Sequence, residues 1–169
     1  MYLQTLGEYV LQHPQVEKEV LSLWMQQILF QLQTMEQLQE VPERITPFHI
    51  IIKPNQTIVF ETMEEKIPSH SMLKMFAPPT NGNYIYTFGK TVQFLLAKTK
   101  PQPALTRREE AKFQKTISKC LSSKSKKQYH SFLEINLNSP KRRKPIIEIA
   151  LALLLLVQVS LFPIFKDAN

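Results

Sequence analysis

Tyr84-Ile-Tyr-Thr-Phe-Gly-Lys-Thr-Val-Gln-Phe-Leu-Leu-Ala-Lys98 is the stretch from which the rest of this chain of 169 residues is best read. It has no proline, and Ile85, Phe88, Val92, Leu95 and Leu96 cover more than one face, which predicts a helix buried on most sides. Gly89 leaves its centre without a side chain. In a helix that absence costs about 1 kcal/mol relative to Ala, and it permits another element to approach closely.

Further along, Thr106-Arg-Arg-Glu109 has the capping-box form and opens a helix with Phe113, Ile117 and Leu121 on one stripe. Ser131-Phe-Leu-Glu134 repeats the signal for a last short helix. In the other direction, residues 61–82 lose periodicity among Pro68, Pro78, Pro79 and Asn81-Gly82, which predicts an irregular loop. Before it, Ile50-Ile-Ile52 and Thr57-Ile-Val-Phe60 are β-branched runs separated by Lys53-Pro-Asn-Gln56, the composition of a hairpin turn. From Pro14 onward, Val16, Val20, Leu23, Trp24, Ile28, Leu32, Met35 and Leu38 recur at helical spacing, predicting one long amphipathic helix that Val41-Pro42 stops. No internal repeat is present.

The C-terminal run Pro145 to Phe165 is of another kind. Only Glu148, Gln158 and Ser160 interrupt its 21 residues. As a helix it would extend roughly 31 Å, against a hydrocarbon core of about 30 Å. A buried core helix would normally keep a polar stripe, so a membrane span is the stronger reading. Lys141, Arg142, Arg143 and Lys144 precede it, and only Lys166 and Asp167 are charged after it, which orients the preceding chain toward the cytoplasm and leaves 166–169 as a short outer tail. The formal charge of +7 owes much to these residues and to Lys124-Ser-Lys-Lys127. Anionic lipid headgroups explain that placement better than nucleic acid, because no aromatic residues alternate with the cations to stack bases.

The remaining chain, about 140 residues, suffices for one domain with its own core. Twelve prolines against three glycines argue against a low-complexity tract, and the single cysteine, Cys120, excludes an internal disulfide. His13, His49, His70 and His130 lack metal-ligand spacing, none of the three glycines lies in a phosphate-loop frame, and Glu64-Glu65 reads as a solvated pair. No cofactor is implied.

Four segments, in order, resemble the C-terminal lobe of bacterial Ser/Thr protein kinases. Tyr84 to Lys98 is similar to the family's central buried helix, D-I-Y-S-L-G-x-x-L-x-x-L-L-T-G, and Ile117-Ser-Lys-Cys-Leu121 with Lys126-Lys-Gln-Tyr-His-Ser-Phe132 to its late L-I-x-K-C-L and K-R-Y-x-S-F stretch. Phe76-Ala-Pro-Pro79 stands where Y-A-P-E belongs, and Arg44-Ile-Thr-Pro-Phe-His-Ile-Ile-Ile52 where D-L-K-P-x-N-I-L-I does. The departures fall on the chemistry. Phosphoryl transfer needs a base, metal ligands and a phosphate-holding Lys. The resemblance puts Arg44, a permanent cation, at the base position, His49, a poor ligand for magnesium, at the metal-binding Asn, and Glu61 at the D-F-G Asp. Pro79, Tyr84 and Gln128 replace the family's ion-pairing residues, and the small lobe with its glycine-rich loop would lie outside this chain.

The expected fold is therefore mainly α, a kinase-like C-terminal lobe with a short β-hairpin over residues 1–138, a basic linker at 139–144 and one transmembrane helix at 145–165. The expected function is that of a membrane-anchored, catalytically inactive binding scaffold or regulator. The alternatives are a subunit of an active kinase whose other lobe comes from a second chain, and an unrelated small helical membrane protein. A lobe standing alone exposes surface its missing partner would cover, so Trp24, Leu29 or Phe30 could face a protein partner; their alternative is ordinary core.

Overall fold

The computed structural model describes residues 4–41, 45–60, 74–78 and 83–137. The chain divides into two compact units, 1–137 and 138–169, and every described residue belongs to the first. The predicted span at 145–165, the basic residues Lys141, Arg142, Arg143 and Lys144, and most of the 61–82 loop lie outside the described residues. Among the described residues no helix is long and apolar enough to cross a membrane.

The elements run β1 (Gln4–Thr5), α1 (Leu6–Gln12), β2 (Gln15–Glu17), α2 (Lys18–Leu38), a 3-10 turn at Pro47–His49, β3 (Ile50–Ile52) and β4 (Ile58–Phe60). They continue with α3 (Tyr84–Lys98), β5 (Lys100–Gln102), α4 (Arg107–Cys120) and 3-10 turns at Ser125–Lys127 and Phe132–Glu134. Helices dominate, but two small sheets make the unit mixed, where a helical lobe with a single hairpin was expected. The hairpin forms as predicted, with Ile50 opposite Phe60 and Ile52 opposite Ile58, and β1 adds to it antiparallel beside β3. A second, parallel pair joins β2 to β5, with Val16 opposite Pro101.

That second pair corrects the expected long helix. Gln15–Glu17 is held extended by β5, so α2 starts at Lys18, and the strand fixes which way the helix is rotated. Leu21, Trp24, Met25, Ile28, Leu29 and Leu32 face inward, while Leu23 and Leu38, expected on the stripe, are 42% and 62% exposed. Trp24 and Leu29 are thus core, and only Phe30 of the three suggested partner-facing residues is exposed. The helix ends on Gln39 in the left-handed region (φ 60°), and the Glu40 amide donates back to the Met35 carbonyl at 2.8 Å, a Schellman closure without the usual glycine.

α3 occupies the range the sequence predicts and buries Ile85, Thr87, Phe88, Gly89, Thr91, Val92, Phe94 and Leu95. Its start is capped by Asn83, whose Oδ1 accepts from the Tyr86 amide at 3.0 Å. The Thr106–Glu109 capping box opens α4, which buries Phe113, Thr116, Ile117 and Cys120. A Cβ placed on Gly89 would come within 2.5 Å of Cys120 Cβ, so the glycine is what lets α3 and α4 touch. The last predicted helix is a single 3-10 turn, capped by Ser131 Oγ on the Leu133 amide at 3.1 Å.

Candidate functional site

The four segments that carry the kinase resemblance meet at α3. Phe48, Phe76 and Phe94, from three of them, form an edge-to-face cluster with centroid separations of 6.3, 5.6 and 5.6 Å. From the fourth, Phe132 meets Phe88 edge-on at 5.9 Å, and Ile117 and Cys120 are buried in the same core. Such aromatic pairs contribute about 0.5–1.5 kcal/mol each beyond the area they bury. The Thr91 hydroxyl, fully buried on α3, lies 2.8 Å from the Ile45 carbonyl and 3.0 Å from the Thr87 carbonyl, and so ties the 45–49 loop to the helix. Gly7 completes the seat of that loop, because a Cβ there would meet the Phe48 ring at 2.5 Å.

Of Arg44, His49 and Glu61, the three positions the sequence resemblance marks, His49 alone is described. It closes the 3-10 turn half-buried, its Nδ1 lies 2.6 Å from Thr46 Oγ1, and its amide donates to the Thr46 carbonyl at 3.0 Å. One ring nitrogen is therefore engaged within the loop itself. Arg44 and Glu61 lie outside the described residues. Among the described residues no three His, Cys, Asp or Glu side chains sit close enough together to hold a metal ion.

Beside the loop, the hairpin is fastened to α2 by side chains that periodicity could not reveal. Gln56 adopts φ 62° at the turn, and its carbonyl accepts from Trp24 Nε1 at 3.1 Å. Gln27 Oε1 accepts from the Ile58 amide at 3.1 Å while Gln31 Nε2 donates to the Ile58 carbonyl at 2.8 Å. At the far end of the core stands Gln128, at the position where the sequence resemblance leads one to expect an Arg. Its Nε2 lies 3.2 Å from the Cys120 carbonyl and 3.4 Å from Asn83 Oδ1, a neutral tie between the end of α4 and the cap of α3. Sequence reasoning also missed a cleft at the end of α4 lined by Lys119, Lys126 and Lys127, although the 124–127 run was its visible signal.

Cys120 sits in this core rather than at a reactive surface. Burial pushes its thiol up to about 12, so at neutral pH almost none is thiolate, the nucleophilic form. Iodoacetamide at pH about 8 is expected to spare Cys120 in the folded chain and to alkylate it rapidly in denaturant. Rapid labelling of the native protein would show that α4 opens from α3. Comparison of the chain with known protein families, with curated proteins and with solved structures finds no match in any of the three.

Proposed function

We propose that residues 1–138 are a kinase-like domain that works by binding rather than by phosphoryl transfer, held at a membrane by a 145–165 span with Lys141 to Lys144 against anionic headgroups. The observation that supports the kinase-like part is the convergence on α3: the Phe48–Phe76–Phe94 cluster and the Phe88–Phe132 pair join all four resembling segments. The non-catalytic part rests on the residue types at the positions the resemblance marks, a cation at Arg44 and an imidazole at His49. The His49 ring nitrogen facing Thr46 further reduces what that position can offer an ion. Apolar framework is kept and chemistry is replaced, which is the pattern of a scaffold. The membrane part rests on the apolar length of 145–165 and the cations before it.

Thermal unfolding of the full chain in mild detergent, followed by the fluorescence of its single tryptophan, tests the reading. A nucleotide at about 100 times its dissociation constant would add about 2.7 kcal/mol, so magnesium-ATP at millimolar concentration is expected to leave the midpoint unchanged. A magnesium-dependent ATP shift would sink the non-catalytic reading. In intact cells, external protease is expected to spare residues 1–138, and their digestion would reverse the topology.

A further inference from the structure

Where α4 ends, the surface opens into a cleft of about 640 Å³. Lys119 from the last turn of α4, Lys126 and Lys127 from the following 3-10 turn, and His130 line it with Ser118 and Ser122. The return of the chain over α4 is built by hydrogen bonds. Ser122 Oγ accepts from the Lys124 amide at 3.2 Å, and the Lys124 carbonyl accepts from the Lys127 and Gln128 amides at 2.8 and 3.2 Å. Gln128 Nε2, 3.2 Å from the Cys120 carbonyl, then fastens the returning chain to the end of the helix. Lys119 Nζ lies 4.9 Å from the centroid of the Tyr129 ring, which holds this ammonium at the wall.

Cations outnumber acids on this wall. Residues 119–127 contain four lysines and no acid. None of Lys119, Lys126 and Lys127 pairs with a carboxylate among the described residues. Glu134 also borders the cleft, and its Oε2 accepts from the His130 amide at 3.1 Å. Ammonium groups lining one concavity repel one another to the extent that salt, with a screening length of about 8 Å at physiological strength, leaves them unscreened, and a bound anion relieves that repulsion. Fold stability does not require them there, since Lys126 and Lys127 are exposed.

We propose that this cleft binds a phosphomonoester, free or as a lipid headgroup. A phosphomonoester carries about −1.5 to −2 charges near neutral pH and three acceptor oxygens, which suits three ammonium donors better than a single-charged carboxylate does. Ser118 and Glu134 provide a donor and an acceptor for hydroxyls of the esterified group. A nucleic-acid strand fits less well, because the face of the cleft's tyrosine ring, Tyr129, already carries Lys119 and no phenylalanine or tryptophan lines the cleft to stack bases. The assignment rests on the lysines and the cleft, and it stands whether or not the domain is kinase-like.

Calorimetric titration of the full chain in detergent with glycerol phosphate probes the free ester. Titration of the full chain, already reconstituted in phosphatidylcholine bilayers, with water-soluble short-chain phosphatidic acid, against short-chain phosphatidylserine at matched total charge, probes the headgroup while discounting the basic 141–144 run and the 145–165 segment. Saturable binding of glycerol phosphate identifies a soluble ligand, preference for phosphatidic acid identifies a lipid, and either supports the cleft. The double variant Lys126→Gln/Lys127→Gln is expected to weaken that binding at least about tenfold, the loss of one charge-assisted contact or more. Lys53→Gln/Lys115→Gln removes the same charge from exposed positions outside the cleft and is expected to leave it unchanged. Absence of both bindings, or an equal loss in the two double variants, overturns the assignment.

Discussion

Phe88→Ala is expected to lower the free energy of unfolding by about 3–5 kcal/mol, a large share of the about 5–15 kcal/mol that holds a domain together. The side chain is fully buried, its ring meets Phe132 edge-on at 5.9 Å, and it stands beside Gly89, where α3 is already in contact with α4. Because the two helices touch there, they cannot close further to fill the space left by the ring. The residual cavity therefore adds its own cost to the lost transfer energy. Denaturant titration read by Trp24 emission measures it, with Phe30→Ala as the reference. Phe30 is 68% exposed, and its loss is expected to change stability by no more than about 0.5 kcal/mol. Similar losses in the two variants would mean that α3 is not the centre of the core.

The second large effect is expected at Trp24 itself. It is 1% exposed, stands edge-on to Tyr9 at 5.7 Å, and donates its indole N–H to the Gln56 carbonyl. Trp24→Ala removes the ring and the donor together and should cost about 3–5 kcal/mol. Trp24→Phe keeps most of the apolar volume but leaves the turn carbonyl without its donor, and about 1–2 kcal/mol is expected, from the lost hydrogen bond and the smaller ring. Circular dichroism is the measurement, since the fluorophore is gone in both variants. If the phenylalanine variant matched the wild type, the indole bond would contribute nothing and the turn would be held by strand pairing alone.

What the sequence made legible was whatever repeats over a full turn or more of chain. α3 is recognisable because its apolar residues fill several faces over an uninterrupted run, α4 because Thr106 and Glu109 satisfy each other's backbone groups, and the hairpin because two β-branched runs flank a Pro-Asn turn. Strands of two or three residues carry no such period. β1, β2 and β5 exist only because a partner distant in sequence lies alongside, and Pro101 in β5 reads locally as a break. α1 was missed although Thr5 and Glu8 form the same capping box as α4, because only seven residues follow it. The rotation of α2 was misjudged for want of β2, which shifted the expected stripe from Leu21, Met25 and Leu29 toward Leu23 and Met35. At the candidate sites, the residue types at 44–49 were readable, whereas the cleft at the end of α4 depends on Gln128 reaching Cys120, a contact that no spacing announces.

The glutamines of α2 also limit how this protein meets copies of itself. Among the described residues β4 is one of the two outer strands of the three-stranded sheet, and an outer strand ordinarily offers a row of unpaired amides and carbonyls on which another chain can assemble. Here both backbone groups of Ile58 are already taken, the amide by Gln27 and the carbonyl by Gln31, one helical turn apart on α2. The two side chains imitate a neighbouring strand for one residue, long enough to deny a foreign strand its register. Resistance to aggregation through that edge is thus written into a helix rather than into the sheet it guards.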